Sequence, residues 1–190
     1  LREKNRIRHV DYMNYLWNRQ KEIAMAYERE QEVYAYQYPD MDELAFMVKE
    51  YDSRIYEKIS SDEDFLTLSL GRYMGKTGFQ IGGKEEAQEA QKDTLTKTAC
   101  EIRQKYSQIQ IPRVIDLKKT HLGMVGEKEA LHRQLGILAS QAAFFQSYHD
   151  LQMIVIYDGK YEDRFAWMRW FPHMRLMPMN VSGLVHSERT

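Results

Sequence analysis

The spacing of apolar residues changes twice along the chain, and each change marks a different kind of element. Residues 1 to about 37 contain neither Gly nor Pro, and Val10, Met13, Trp17, Ala24, Tyr27 and Tyr34 keep a three-four spacing with Gln20 and Gln31 filling the gaps. That spacing lays one apolar and aromatic stripe along a long helix. Such a stripe needs a partner surface, expected on the next helical segment or on a neighbouring copy of the chain. Pro39-Asp40 interrupts the pattern, and Met41 to Ile59, with Leu44, Met47, Val48, Tyr51 and Ile55, predicts a second, shorter helix. Phe65 to Leu70 alternates in the manner of a half-buried strand. Lys84 to Ser107 predicts a polar helix with Leu95, Ala99, Ile102 and Tyr106 on one face and a solvated, charged remainder.

From Ile109 the texture turns to α/β. Ile111–Leu117 and His121–Val125 are short apolar runs with strand character, and the segment after Gly126 places Leu131, Leu135, Leu138, Ala142 and Phe145 on one helical face. Leu151–Tyr157 is a near-continuous apolar run of the kind buried on both faces of a parallel sheet, and Asp158 ends it. A strand, a helix and a second strand in this order make a right-handed crossover the default.

The junction between the first of these strands and its helix is where a nucleotide-binding βαβ unit would hold phosphate. A Walker loop needs GxxxxGK[ST], so that backbone N–H groups wrap the phosphates, lysine reaches their oxygens and a hydroxyl holds Mg²⁺. Here Gly126 is followed at once by Glu127, Lys128 and Glu129. The loop is too short, and two carboxylates sit where a helix N-terminus would otherwise attract phosphate. Gly126, Glu127 and Lys128 are therefore read as a degenerate, non-functional nucleotide loop. The plainer alternative is an ordinary strand-Gly-helix junction with acidic residues at a normal N-terminus. A second Walker-like string, Gly71-Arg72-Tyr73-Met74-Gly75-Lys76-Thr77, has one residue too few between its glycines, and Gly78 to Gly83 follows where the motif demands a helix. It is read as a glycine-rich hairpin or loop.

Composition narrows the classes further. A length of 190 residues suits one domain with an extension, or a piece of a longer protein, and the missing initiator Met is read as a sign of the latter. Lys plus Arg (27) nearly balance Asp plus Glu (28), so no basic field announces nucleic acid, and none is expected as a partner. The lone Cys100 leaves no internal disulfide and fits a reducing compartment. No stretch approaches the apolar length of a membrane span, and no signal peptide is visible. Four cations among the first eight residues suit the cytoplasmic side of a membrane or anionic lipid, or simply a solvated helix end. The six histidines show no metal-ligand spacing, and no metal site or catalytic residue is assigned. Trp167, Trp170 and Phe171 beside Arg164, Arg169 and Arg175 suit either stacking on bases or a core or docking interface.

His121–Gly126, the helix after it, Asp150–Lys160 and Phe171-Pro172-His173-Met174 resemble the ordered landmarks of FtsK-type motor domains. Asp11–Leu16, Tyr38-Pro39-Asp40, Asp64–Gly71 and Trp170–His173 narrow the resemblance to the EssC/YukB (EccC-like) membrane ATPases of type VII secretion, within the FtsK/SpoIIIE family. The resemblance covers nearly the whole chain. It implies an α/β fold with an incomplete P-loop-NTPase-like parallel-sheet core, preceded by a mainly helical stalk region with a short β element. The implied division is a membrane-proximal helical stalk over 1–60, a β-loop and helix connector over 61–110, and the first part of a degenerate ATPase-like domain over 111–190. It also implies a place at the cytoplasmic face of the cell membrane and a coupling role without catalysis. No cofactor is expected for this stretch, with ATP and Mg²⁺ reserved for downstream domains. The implied partners are those downstream ATPase domains, other membrane components of the secretion system and further copies of the parent in a hexamer. Trp17, Trp167, Trp170 and Phe171 are the expected interface residues. The missing Walker loop departs from the motor pattern, which leaves a nucleotide-binding or DNA-translocating motor domain as the competing reading.

Overall fold

The computed structural model describes residues 2–82, 94–177 and 179–187. It is a mixed α/β chain of helices and small sheets, with contacts that cluster into two units, Leu1–Tyr38 with Arg72–Pro112, and Pro39–Gly71 with Arg113–Thr190. The expected 1–60 stretch is thus shared between units, and so is 61–110.

In the first unit, α1 (Arg2–Gln37) is one continuous helix of 36 residues, with no Gly or Pro to interrupt it. Its apolar face meets α3 (Thr94–Lys105), and the buried contact is Leu16 with Ile102 and Tyr106, flanked by Ile23, Ala24 and Tyr27. The Tyr27 and Tyr106 rings meet edge to face at 5.5 Å. The buried face is therefore one residue out of step with the expected stripe at its N-terminal end: Val10, Met13 and Trp17 are exposed, Trp17 at 60%. The expected partner after Pro39 lies in the other unit. Glu30 accepts hydrogen bonds from the Gly78 N–H (2.9 Å) and the Tyr34 hydroxyl (2.9 Å). Of the expected 84–107 helix, residues 84–93 lie outside the described residues, and the remainder is α3, which ends at Lys105.

Two strands pass through both units, β1 (Thr67–Lys76) and β2 (Gln108–Asp116), paired as a two-stranded ribbon. The Leu117 N–H donates to Leu66 O and the Thr77 N–H to Ser107 O, so the strands run antiparallel. Gly71–Lys76 is strand rather than the expected hairpin or loop. Gly71 bends it, with φ at +129°, a conformation that only glycine takes without strain.

In the second unit, α2 (Met41–Lys49) starts at an Asp40 cap whose side chain accepts from the Glu43 N–H. It ends ten residues before the expected Ile59. The Asp52 N–H donates to Met47 O and the Tyr51 N–H to Val48 O, with Tyr51 at φ 55°, which is a Schellman end made by tyrosine in place of glycine. α2 packs Leu44 and Met47 against Phe144 and Phe145 of α4 (Lys128–Phe145). Leu138 and Ala142 of α4 cover Leu68 of β1, together with Leu122 and Met124. The Gln141 amide, buried between these elements, accepts from the Ser69 N–H (2.8 Å) and donates to Ser69 O (3.1 Å), so the side chain satisfies both backbone groups of one strand residue.

His121–Val125 forms no strand: Leu122 and Met124 pack against the Leu68–Leu138–Ala142 cluster, but no strand pairs with the segment among the described residues. The Leu151–Tyr157 run shortens to β3 (Val155–Tyr157), which pairs in parallel with β6 (Leu184–His186). Ile154 and Ile156 are exposed at 59% and 80%, so β3 is not buried on both faces. Between β3 and β6 come a short helix α5 (Glu162–Phe165), 3-10 turns at Ala166–Trp170 and Pro172–Met174, and a small antiparallel pair, β4 (Arg175–Leu176) with β5 (Val181–Ser182). Phe165, Met168 and Met174 form their core. Gly183 threads through it: a Cβ there would lie 2.2 Å from Met153 O and 3.2 Å from Met174 O.

Candidate functional site

Two surfaces of the second unit hold the residues singled out from the sequence. The first is the start of α4. Gly126 is a bend, Glu127 is the N-cap residue, and helix begins at Lys128, so two residues separate His121–Val125 from the helix. A Cβ on Gly126 would meet only Leu131 at 3.8 Å, so nothing in this bend demands glycine for a close backbone approach. The Glu127 side chain makes no capping hydrogen bond. Glu129 instead forms an ion pair with Arg164 at 2.9 Å. The Lys128 ammonium lies over the Tyr161 ring at 6.0 Å, and Lys160 covers the same ring at 5.0 Å. Asp158 closes on its own neighbour: its carboxylate pairs with Lys160 Nζ and accepts from the Lys160 N–H, and the Lys160 hydrogen bond is the chief cause of its lowered pKa. The cations nearest the helix start are engaged with an aromatic ring and a local carboxylate.

The second surface is the aromatic segment after α5. Trp167 leans on α4, where a Cβ added at Gly136 would stand 3.4 Å from its ring, and its indole N–H donates to Arg164 O at 2.8 Å. Phe171 meets Trp167 edge to face at 5.3 Å and is half-buried. Trp170 differs from both in being 81% exposed. Of the four expected interface residues, the three in this segment divide: Trp167 and Phe171 are partly committed to the fold, whereas Trp170 presents most of its ring to solvent. Trp170 and Phe171 border a groove of about 860 Å³ that also draws in Tyr148, Arg169, Met174 and Arg175. Trp17, in the first unit, carries Lys21 over its ring at 4.1 Å.

Next to Tyr148 of this groove lies a polar cluster around His173, whose other members, Gln146, Tyr56 and Lys58, the sequence did not single out. His173 is fully buried, its Nε2 2.8 Å from Gln146 O, and the Tyr56 and Tyr148 rings approach it edge-on. Burial holds the His173 pKa below its ordinary 6.5, with the Gln146 carbonyl opposing in part. Lys58, also buried, pairs with Asp64 at 2.7 Å and lies 4.9 Å above the Phe145 ring. Within the Phe171–Met174 string, Pro172 is exposed, whereas His173 and Met174 are buried. No group of three His, Cys, Asp or Glu residues is placed to hold a metal among the described residues. None of the described helices is long and apolar enough to cross a membrane.

No family model matches the chain. It is similar to proteins of type VII secretion. It is 32% identical over 184 residues to the type VII secretion system protein EssC of Staphylococcus aureus (strain MSSA476), covering 96% of this chain and 12% of that protein. EssC of S. aureus (strain NCTC 8325 / PS 47) matches with the same identity and coverage. The ESX secretion system protein EccC of Geobacillus thermodenitrificans (strain NG80-2) is 28% identical over 181 residues, 94% of this chain and again 12% of that protein. The chain therefore spans about an eighth of the length of these relatives, and along nearly all of its own length it is EssC/EccC-like.

Proposed function

We propose that this EssC/EccC-like chain is a non-catalytic coupling unit of a type VII secretion motor, standing at the cytoplasmic face of the membrane between a channel and downstream ATPase domains. In this reading it is an ATPase-like, FtsK-type unit that has lost its nucleotide loop and works by docking. The observation that carries the reading is the start of α4: helix follows Gly126 after one intervening residue, leaving no backbone to wrap a phosphate. The nearest lysines rest on Tyr161, and Lys160 also pairs with Asp158. The long α1 suits a strut, since 36 helical residues reach about 54 Å. Exposed Trp170 and its aromatic neighbours supply the anchors that docking surfaces favour. ATP and Mg²⁺ are used by domains elsewhere in the parent, which assembles with further copies of itself and with other secretion components.

A titration of this chain with ATP and Mg²⁺ by calorimetry separates the coupling unit from a nucleotide-binding or DNA-translocating motor. No saturable heat is expected. Micromolar binding abolished by changes at Gly126 or Lys128 would overturn the reading.

A further inference from the structure

The groove beside Trp170 has a composition that specifies its occupant. Its lining includes Arg169, Arg175 and His149, and no Asp or Glu. Arg169 spends its Nε on Ala166 O (2.6 Å), which fixes the direction of its guanidinium without neutralising it. The Arg175 side chain has no hydrogen-bond or ion-pair partner among the described residues. Cations gathered in a concave surface without carboxylates leave an uncompensated positive field, stronger there than on a flat surface. The rest of the lining mixes apolar and aromatic side chains, Met174, Met177 and Val181 beside Trp170, Phe171 and Tyr148, with the uncharged polar Gln152, Asn180 and Ser182. β5 at the rim pairs only with β4, so its other edge has no partner strand among the described residues.

We propose that this groove binds an acidic, extended polypeptide segment that carries at least one apolar side chain. The carboxylates would pair with Arg175 and Arg169, the apolar side chain would lie against Trp170 and the methionines, and the main chain would run along the free edge of β5. A nucleic acid fits less well. A phosphate backbone needs a continuous track of cations, whereas here two arginines sit in a nearly neutral chain, among Met174, Met177 and Val181 that offer a phosphate nothing. The inference rests on the reading of this face as a protein-docking surface, and names the chemistry of what docks.

The test uses this chain and a short fluorescein-labelled peptide of alternating Glu and Ser around a central Phe. A matched peptide with Lys for every Glu and a labelled oligo-dT of similar length serve as the other arms. Fluorescence anisotropy is expected to show saturable binding of the acidic peptide alone. Arg175→Glu should weaken it by about tenfold or more, the loss of one charge-assisted contact, and Trp170→Ala should weaken it as well. Arg133→Glu, an exposed change of the same sign on α4, should leave it unchanged. Because Arg175 and Trp170 are exposed, both variants should fold, and circular dichroism checks that they do. Four results would each overturn the proposal: no binding of the acidic peptide, equal binding of the Lys peptide, tighter binding of oligo-dT, or indifference to Arg175→Glu. Peptide binding is read on this chain, and coupling is read by secretion in the parent, so either idea can fail while the other stands.

Discussion

Replacing Leu16 and Trp17 separately by Ala tests which face of α1 carries its packing. Trp17 is the larger side chain, and the spacing of apolar positions put it in the stripe. Leu16 is the one that is buried, 8% exposed against Ile102 and Tyr106. A packed Leu→Ala change costs about 2–5 kcal/mol. The flanking Ile23, Ala24 and Tyr27 are only partly buried, so the site can relax, and the low end, about 2–3 kcal/mol, is expected. Trp17 is 60% exposed, and its main specific partner is the Lys21 ammonium at 4.1 Å, an arrangement worth about 0.5–1 kcal/mol at an exposed site. Trp17→Ala should therefore cost about 1 kcal/mol in this chain. Since the chain has two units, a single unfolding midpoint would mix them, and amide exchange within α1 and α3 is the sharper assay. Leu16→Ala should accelerate exchange in both helices and Trp17→Ala should do so far less. Equal or reversed effects would show that the helix packs by another face.

Two further outcomes concern the second unit. Gly183→Ala places a methyl group 2.2 Å from Met153 O, against backbone that cannot turn aside, so it should cost about 3 kcal/mol or more and loosen the β3–β6 pair; urea unfolding matching that of the unchanged chain would contradict the threading. For His173 the folded pKa lies below the ordinary 6.5, so as pH falls the unfolded chain takes up the proton first. Stability should hold above about pH 6.5 and decline as pH drops from there toward the folded pKa. Urea midpoints measured across that range should fall for the unchanged chain and fall less for His173→Gln, while identical slopes would remove His173 as the cause.

The helices were the most readable part of the sequence, because period and punctuation act locally. α1 follows from a run without Gly or Pro, and α4 from a start after Gly126 and a stripe through Leu138, Ala142 and Phe145. Where the reading failed, the deciding contact was distant or the signal was carried by an unusual residue. α2 stops at a Schellman turn, but Tyr51 rather than glycine takes the left-handed position, so no residue announced the end. His121–Val125 has the apolar alternation of a strand, yet strand formation also needs a neighbour, and pairing is not written in a single segment. The same holds for Gln141, a polar residue on an apolar helix face whose purpose appears only when Ser69 is brought against it. At the candidate site, Trp167, Trp170 and Phe171 were legible as aromatics near arginines. Their division into two rings partly held by the fold and one mostly exposed ring was not, since it depends on Gly136 leaving room for Trp167.

The central claim, that this unit couples by docking and not by nucleotide chemistry, is tested most directly by secretion and ATP turnover of the full-length parent carrying Trp170→Ala, alone and with Trp167→Ala. Trp170 is 81% exposed, so its loss removes a docking anchor while leaving the fold intact. The account predicts that secretion is lost in protein that still folds and inserts, while each isolated downstream domain continues to hydrolyse ATP. Secretion and turnover both unchanged in the double variant would contradict it.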